Sequence, residues 1–171
     1  MTRPVDTIGG IPAHPLFVHI PVVLIPLATF GVLLSLWPKL RGALLLPSAV
    51  VGFIGTVGVA FTTQSGESLE ERVPESAALD NHKELGEMAR NFSLLFLLVL
   101  GAAVVVWYLA KRPDSAPVLA KLVTPLLAVS LVVGGVATWF LIDAGHAGAK
   151  ITWDRVLKNA PAGGEGGEGG G

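Results

Sequence analysis

The chain has 171 residues, 51% of them hydrophobic and only 15% charged, with a net charge of −1 and a mean hydropathy of +0.64. A soluble domain carries about 25% charged residues, so this composition cannot cover a water-facing surface, and the near-neutral balance excludes a nucleic-acid binder. Cysteine is absent, which excludes disulfides, cysteine nucleophiles, thiolate metal sites and covalently attached c-type haem.

The charges divide the rest of the chain. Residues 14–37, 44–63, 92–110 and 122–142 contain no Asp, Glu, Lys or Arg. Each is close to the roughly 20 apolar residues that cross a bilayer core as a helix, the structure that satisfies its own backbone in lipid. The expected fold is an all-α integral membrane protein. A bundle of four transmembrane helices occupies 1–157, and a flexible Gly/Glu-rich tail occupies 158–171.

Span one holds Pro15, Pro21 and Pro26. Pro15 suits a first helical turn, and the other two each remove a backbone bond and predict kinks. The length of the run, its prolines and the lack of an A-x-A site argue against a cleaved signal peptide. Lys39 and Arg41 follow it. Span two carries Ser48, Gly52, Thr56 and Ala60 at four-residue spacing, which lets helix backbones approach closely. The next loop holds seven acids (Glu67, Glu70, Glu71, Glu75, Asp80, Glu84 and Glu87) against three bases. Helix three is expected to begin before its span, capped by Asp80 or Asn81, with Glu84 completing an N-x-x-E box. Lys111, Arg112 and Lys121, against Asp114, join spans three and four. Ser130, Gly134 and Thr138 repeat the small-residue spacing in span four. The two basic loops are expected on the cytoplasmic side, which leaves both termini and the acidic loop extracytoplasmic. Trp37, Trp107, Tyr108 and Trp139 fall near span ends, where amphipathic rings sit. The two helix pairs share a rough pattern but no convincing sequence duplication.

The four histidines, His14, His19, His82 and His146, all fall at the outer end on this topology. Neutral imidazole ligates haem iron, zinc or copper. Met1 and Met88 are the only thioethers, which disfavours soft copper(I) handling. The expected site is a non-covalent b-type haem, with another transition metal as the alternative. Its iron is expected to be ligated by His19 and His146, which fall at similar depth on this topology. His14 and His82 serve as alternates or orienting groups, with His82 expected some 15 Å higher on a straight helix. Asp143 and Trp139, which share a face with His146 if the helix continues, and Gly86, one turn from His82, are the supporting residues.

The segments H-P-L-F-V-H-I-P, D-N-H-K-E-L-G and G-H-A-G-A-K-I-T-W together resemble the bacterial four-helix membrane proteins of domain of unknown function, family 2231, over roughly residues 9–157. That resemblance implies a four-helix fold in a bacterial plasma membrane and suggests haem or redox roles. The family commonly has a further histidine after its last motif, where this chain has Asp154 or Arg155, so a second haem is not expected.

The resulting functional expectation is electron transfer at the outer face, with membrane redox partners or a homo-oligomer. The alternative is a structural or accessory subunit with no cofactor. No ionisable side chain lies mid-span, which disfavours a proton-relay transporter. No Ser–His–Asp arrangement or H-E-x-x-H motif supports a hydrolase.

Overall fold

The computed structural model describes residues 7–8, 11–12, 14–70 and 75–159. A two-residue antiparallel ladder comes first, β1 (Thr7–Ile8) with β2 (Ile11–Pro12), pairing Thr7 with Pro12 and Ile8 with Ile11. The rest is helical: α1 (His14–Phe17), α2 (His19–Ser35), α3 (Pro38–Glu70), α4 (Ala77–Ala110) and α5 (Pro117–Asn159). The four spans these helices form, the first of them by α1 with α2, are long and apolar enough to cross a membrane. They alternate in direction, and each packs on the next, with α5 returning to α2 to close a ring. The fold is the expected four-helix bundle. The tail beyond Asn159 lies outside the described residues.

Local sequence explains the breaks. The helix is interrupted at Val18. Three residues later Pro21 lacks the N–H that would bond the Phe17 carbonyl. Val18 N still donates to His14 O at 3.1 Å, so the chain direction is kept. Pro26, Pro47 and Pro125 lie inside uninterrupted helices. The cap of α4 corrects the expectation at Asp80 or Asn81. Ser76 is the N-cap, its Oγ accepting from Leu79 N at 3.3 Å. Ala77 and Ala78 are strong helix formers and extend the helix back to that serine, leaving Asp80 in the first turn, where the helix dipole favours an acid.

Several small polar residues inside the bundle bond along their own helices, while the buried hydroxyls of Ser93 and Thr138 find no partner among the described residues. Ser48, Thr56 and Ser130 each donate to the carbonyl four residues earlier at 2.7–2.8 Å, so they satisfy their hydroxyls without water. Thr56 Oγ1 also lies 3.3 Å from the Ser93 carbonyl on α4. At the basic end, Arg41 gathers free carbonyls. Its Nε donates to Ser35 O at 3.0 Å, and its Nη2 donates to Leu36 O and to Thr124 Oγ1 of α5. Lys111 lies over the Trp107 ring, its Nζ 3.6 Å from the centroid.

The burial pattern reveals an internal two-fold repeat that the sequence alone had not made convincing. The register that carries His14 onto His82 carries the buried Pro21, Ile25, Ala28, Val32 and Ser35 of α2 onto Ala89, Ser93, Phe96, Leu100 and Ala103. Those are the buried residues of α4. A second register carries Leu45, Ser48, Gly52, Thr56 and Val59 of α3 onto Leu127, Ser130, Gly134, Thr138 and Leu141 of α5. Buried positions on both halves recur three or four residues apart, as in knobs-into-holes bundles. The chain is thus two similar hairpins, α1–α3 and α4–α5, related by a pseudo-two-fold along the bundle. At its centre Phe96 is fully buried against Gly52 and Gly134, while its counterpart is Ala28. The small-residue stripes therefore face the bundle interior except at Ala60, which is exposed because a strict four-residue step drifts off the buried face, where Val59 takes its place.

Candidate functional site

At the end where α1 begins and α3 ends, the structure brings His14 and His82 together. Their ring centroids lie 6.2 Å apart, edge to face at 85°. Each imidazole is mounted in the same way on its own hairpin. His14 Nδ1 donates to the Thr62 carbonyl of α3 at 2.9 Å, and His82 Nδ1 donates to the Ala144 carbonyl of α5 at 2.8 Å. A carbonyl only accepts, so Nδ1 carries the proton in both rings, and each Nε2 keeps its lone pair when the ring is neutral.

A glycine sits one turn beyond each accepting carbonyl. A Cβ at Gly66 would lie 3.2 Å from His14 Cε1 and Nδ1, and one at Gly148 would lie 3.0 Å from His82 Cε1. The register that relates Thr62 to Ala144 also relates Gly66 to Gly148, so this mounting belongs to the internal repeat. Buried Ser65 completes the His14 side. Its Oγ donates to the same Thr62 carbonyl at 3.0 Å and lies 3.5 Å from His14 Nδ1.

The structure places the other two histidines elsewhere. His19 is exposed, its Nδ1 donating to the Pro15 carbonyl at 2.7 Å. His146 is also exposed. It lines a shallow groove of about 330 Å³ between α4 and α5 together with Asn81, Asp143, Lys150 and Asp154. The repeat explains the difference, since His19 corresponds to Glu87 and His146 to Gln64. Helix α5 does continue, so Trp139, Asp143 and His146 share a face. Trp139 is 68% exposed there, and Gly86 faces open space. Among the described residues, no three His, Cys, Asp or Glu side chains gather in metal-binding positions.

Thr62, Ser65, Gly66 and Ala144 escaped the sequence reading, and Gly148 entered it only as part of the G-H-A-G motif. Their signal was present as a continuation: Ser48, Gly52 and Thr56 lead in register to Gly66, as Ser130, Gly134 and Thr138 lead to Gly148. Depth was misjudged for a related reason. Arg90, Glu87 and Glu84 set the apparent membrane boundary on α4, but they occupy its outward side, while Ala89 on the inner side is buried.

A bundle of four apolar spans with a paired-imidazole mount at one end defines a multi-pass membrane protein of duplicated hairpins. The chain belongs to the family described as predicted membrane protein (DUF2231), whose profile matches residues 10–161. No curated protein and no solved structure matches it.

Proposed function

We propose that His14 and His82 hold a non-covalent b-type haem on the pseudo-two-fold axis, and that the protein passes electrons at the extracytoplasmic end of the bundle. The observation that carries this reading is the matched pair of Nδ1-anchored rings. Anchoring Nδ1 on a backbone carbonyl fixes the tautomer and orients the other nitrogen as a ligand. Two imidazoles fill two coordination positions. A bare zinc ion wants four protein ligands or three with water, whereas a haem would need only two ligands from the protein. When bound, the haem supplies a one-electron couple. The chain's own part would be to supply two imidazole ligands from diagonal elements, α1 and α4, and to hold them at the membrane interface.

Protein produced with haem available is expected to show a Soret band and reduced-state α/β bands. His14→Ala and His82→Ala are each expected to abolish or shift them, while His19→Ala and His146→Ala leave them in place. Colourless protein without iron, copper or zinc by elemental analysis would overturn the proposal. That outcome favours the second reading, in which the imidazoles only staple helix to helix through the Thr62 and Ala144 carbonyls in an accessory subunit.

The sidedness rests on the basic loops around Lys39 and Lys111. A cysteine at Ala77 is expected to be labelled in intact cells, and one at Ser115 only after the membrane is opened. The reverse pattern places the imidazole pair at the cytoplasmic face.

A further inference from the structure

Helix α5 is 43 residues long. At 1.5 Å per residue that is about 64 Å, twice the thickness of a bilayer core of about 30 Å. The charge-free segment of α5 ends at Ile142, and Asp143 is the first charge beyond it. Trp153 therefore stands about 16 Å beyond Ile142 along the helix, past a headgroup layer of roughly 5–8 Å. With the boundary at Ile142, Trp153 stands outside the lipid. Yet Trp153 is 63% exposed, with Val156 at 51% and Leu157 at 68%.

These side chains continue a seam that starts inside the membrane. Trp139, Ile142, His146, Ala149, Trp153 and Val156 alternate three and four residues apart, and all are exposed. They lie on the side of α5 away from its buried residues Ala137, Leu141 and Ala144. A three–four alternation of apolar residues is the pattern by which two parallel helices interlock.

We propose that α5 pairs in parallel with α5 of a second copy of this chain along this seam. A second copy inserted in the same orientation presents the same seam at the same height, both in the bilayer and beyond it. A partner outside the membrane would cover Trp153 but not Trp139. Large aromatics bury about 150–250 Å² each. Four largely exposed tryptophans with their aliphatic neighbours therefore bury roughly 1,000 Å² in the pair, near the lower bound for a specific interface. His146 takes one seam position, and a single polar residue there sets register at some expense of stability.

The chain has no cysteine, so single cysteines test the seam without background. In native membranes, Ala149→Cys and Val156→Cys are expected to form disulfide-linked dimers on oxidation. Asp154→Cys, equally exposed but off the seam, is expected to stay monomeric. Trp153→Glu is expected to convert the purified full-length protein from dimer to monomer in detergent, measured by light scattering, without lowering its helix content. The proposal is overturned if the unmodified protein is monomeric in both membrane and detergent. It is equally overturned if Asp154→Cys cross-links as readily as Ala149→Cys, or if the seam cysteines link only to a different polypeptide.

Discussion

Truncating Phe96 to alanine is expected to lower the thermal unfolding midpoint of the detergent-solubilised protein more than truncating any aliphatic residue of the core. The ring is fully buried. Its Cε1 lies 3.2 Å from where a Cβ at Gly52 would stand, and its Cε2 lies 2.8 Å from the corresponding point at Gly134. One ring thus fills the space between α3 and α5 on the bundle axis. In soluble cores such a truncation costs about 3–5 kcal/mol. Between helices in lipid the water-transfer part is absent and lost packing remains, so about 2–4 kcal/mol is expected.

The repeat adds a sharper test. Ala28 is the counterpart of Phe96, and its Cβ lies 3.5 Å from the same Gly52 position. Ala28→Phe alone is expected to overpack the axis and destabilise. Combined with Phe96→Ala it moves the ring to the other hairpin and is expected to recover part of the loss. Simple addition of the two losses in a double-mutant cycle would show that the centre is not shared between equivalent hairpins.

The architecture was legible because charge in lipid is costly and few residues carry it. Four uncharged stretches and two basic loops were enough to define four spans. Helix ends were less legible. Glycine and charge around 143–148 suggest a span ending, yet α5 runs on to Asn159, because outside lipid a helix tolerates both and α4 packs beside it. The repeat was half hidden because the matched positions of α2 and α4 hold different residues, Phe96 against Ala28 and Ser93 against Ile25, whereas α3 and α5 repeat the same Leu, Ser, Gly and Thr at matched positions. Between α2 and α4 the equivalence therefore appears in burial and not in residue identity.

The site was half legible. Histidine type and their common end of the chain's topology were visible, and so was the glycine context of His146. Pairing was not. Depth was counted from the nearest charge, which placed His82 too far out. Two of its strongest determinants, the Thr62 and Ala144 carbonyls, are backbone groups that leave no trace in residue identity.

The glycines beside those carbonyls yield a test by sign. Gly145 and Gly148 lie three residues apart on α5, beyond the charge-free segment. An added Cβ at Gly145 meets nothing within 4 Å, whereas one at Gly148 would stand 3.0 Å from His82 Cε1. Alanine in place of glycine within an exposed helix stabilises by about 0.5–1 kcal/mol. Gly145→Ala is therefore expected to raise the melting temperature and leave the spectrum of the proposed haem unchanged. Gly148→Ala is expected to lose that gain, because the imidazole must shift by a few tenths of an ångström or its bond to the Ala144 carbonyl must lengthen. Gly148→Leu is expected to expel the ring and to weaken retention of the proposed haem more than tenfold, about 1.4 kcal/mol. Gly66→Leu should do the same through His14, since Gly66 stands 3.2 Å from that ring by the same measure. Melting temperature reads the mounting and the Soret band reads the ligand, so the two can part. Colourless protein in which Gly148→Ala still melts below Gly145→Ala leaves the mounting intact and removes the haem. Equal melting of the two alanine variants would show that His82 does not rest on α5.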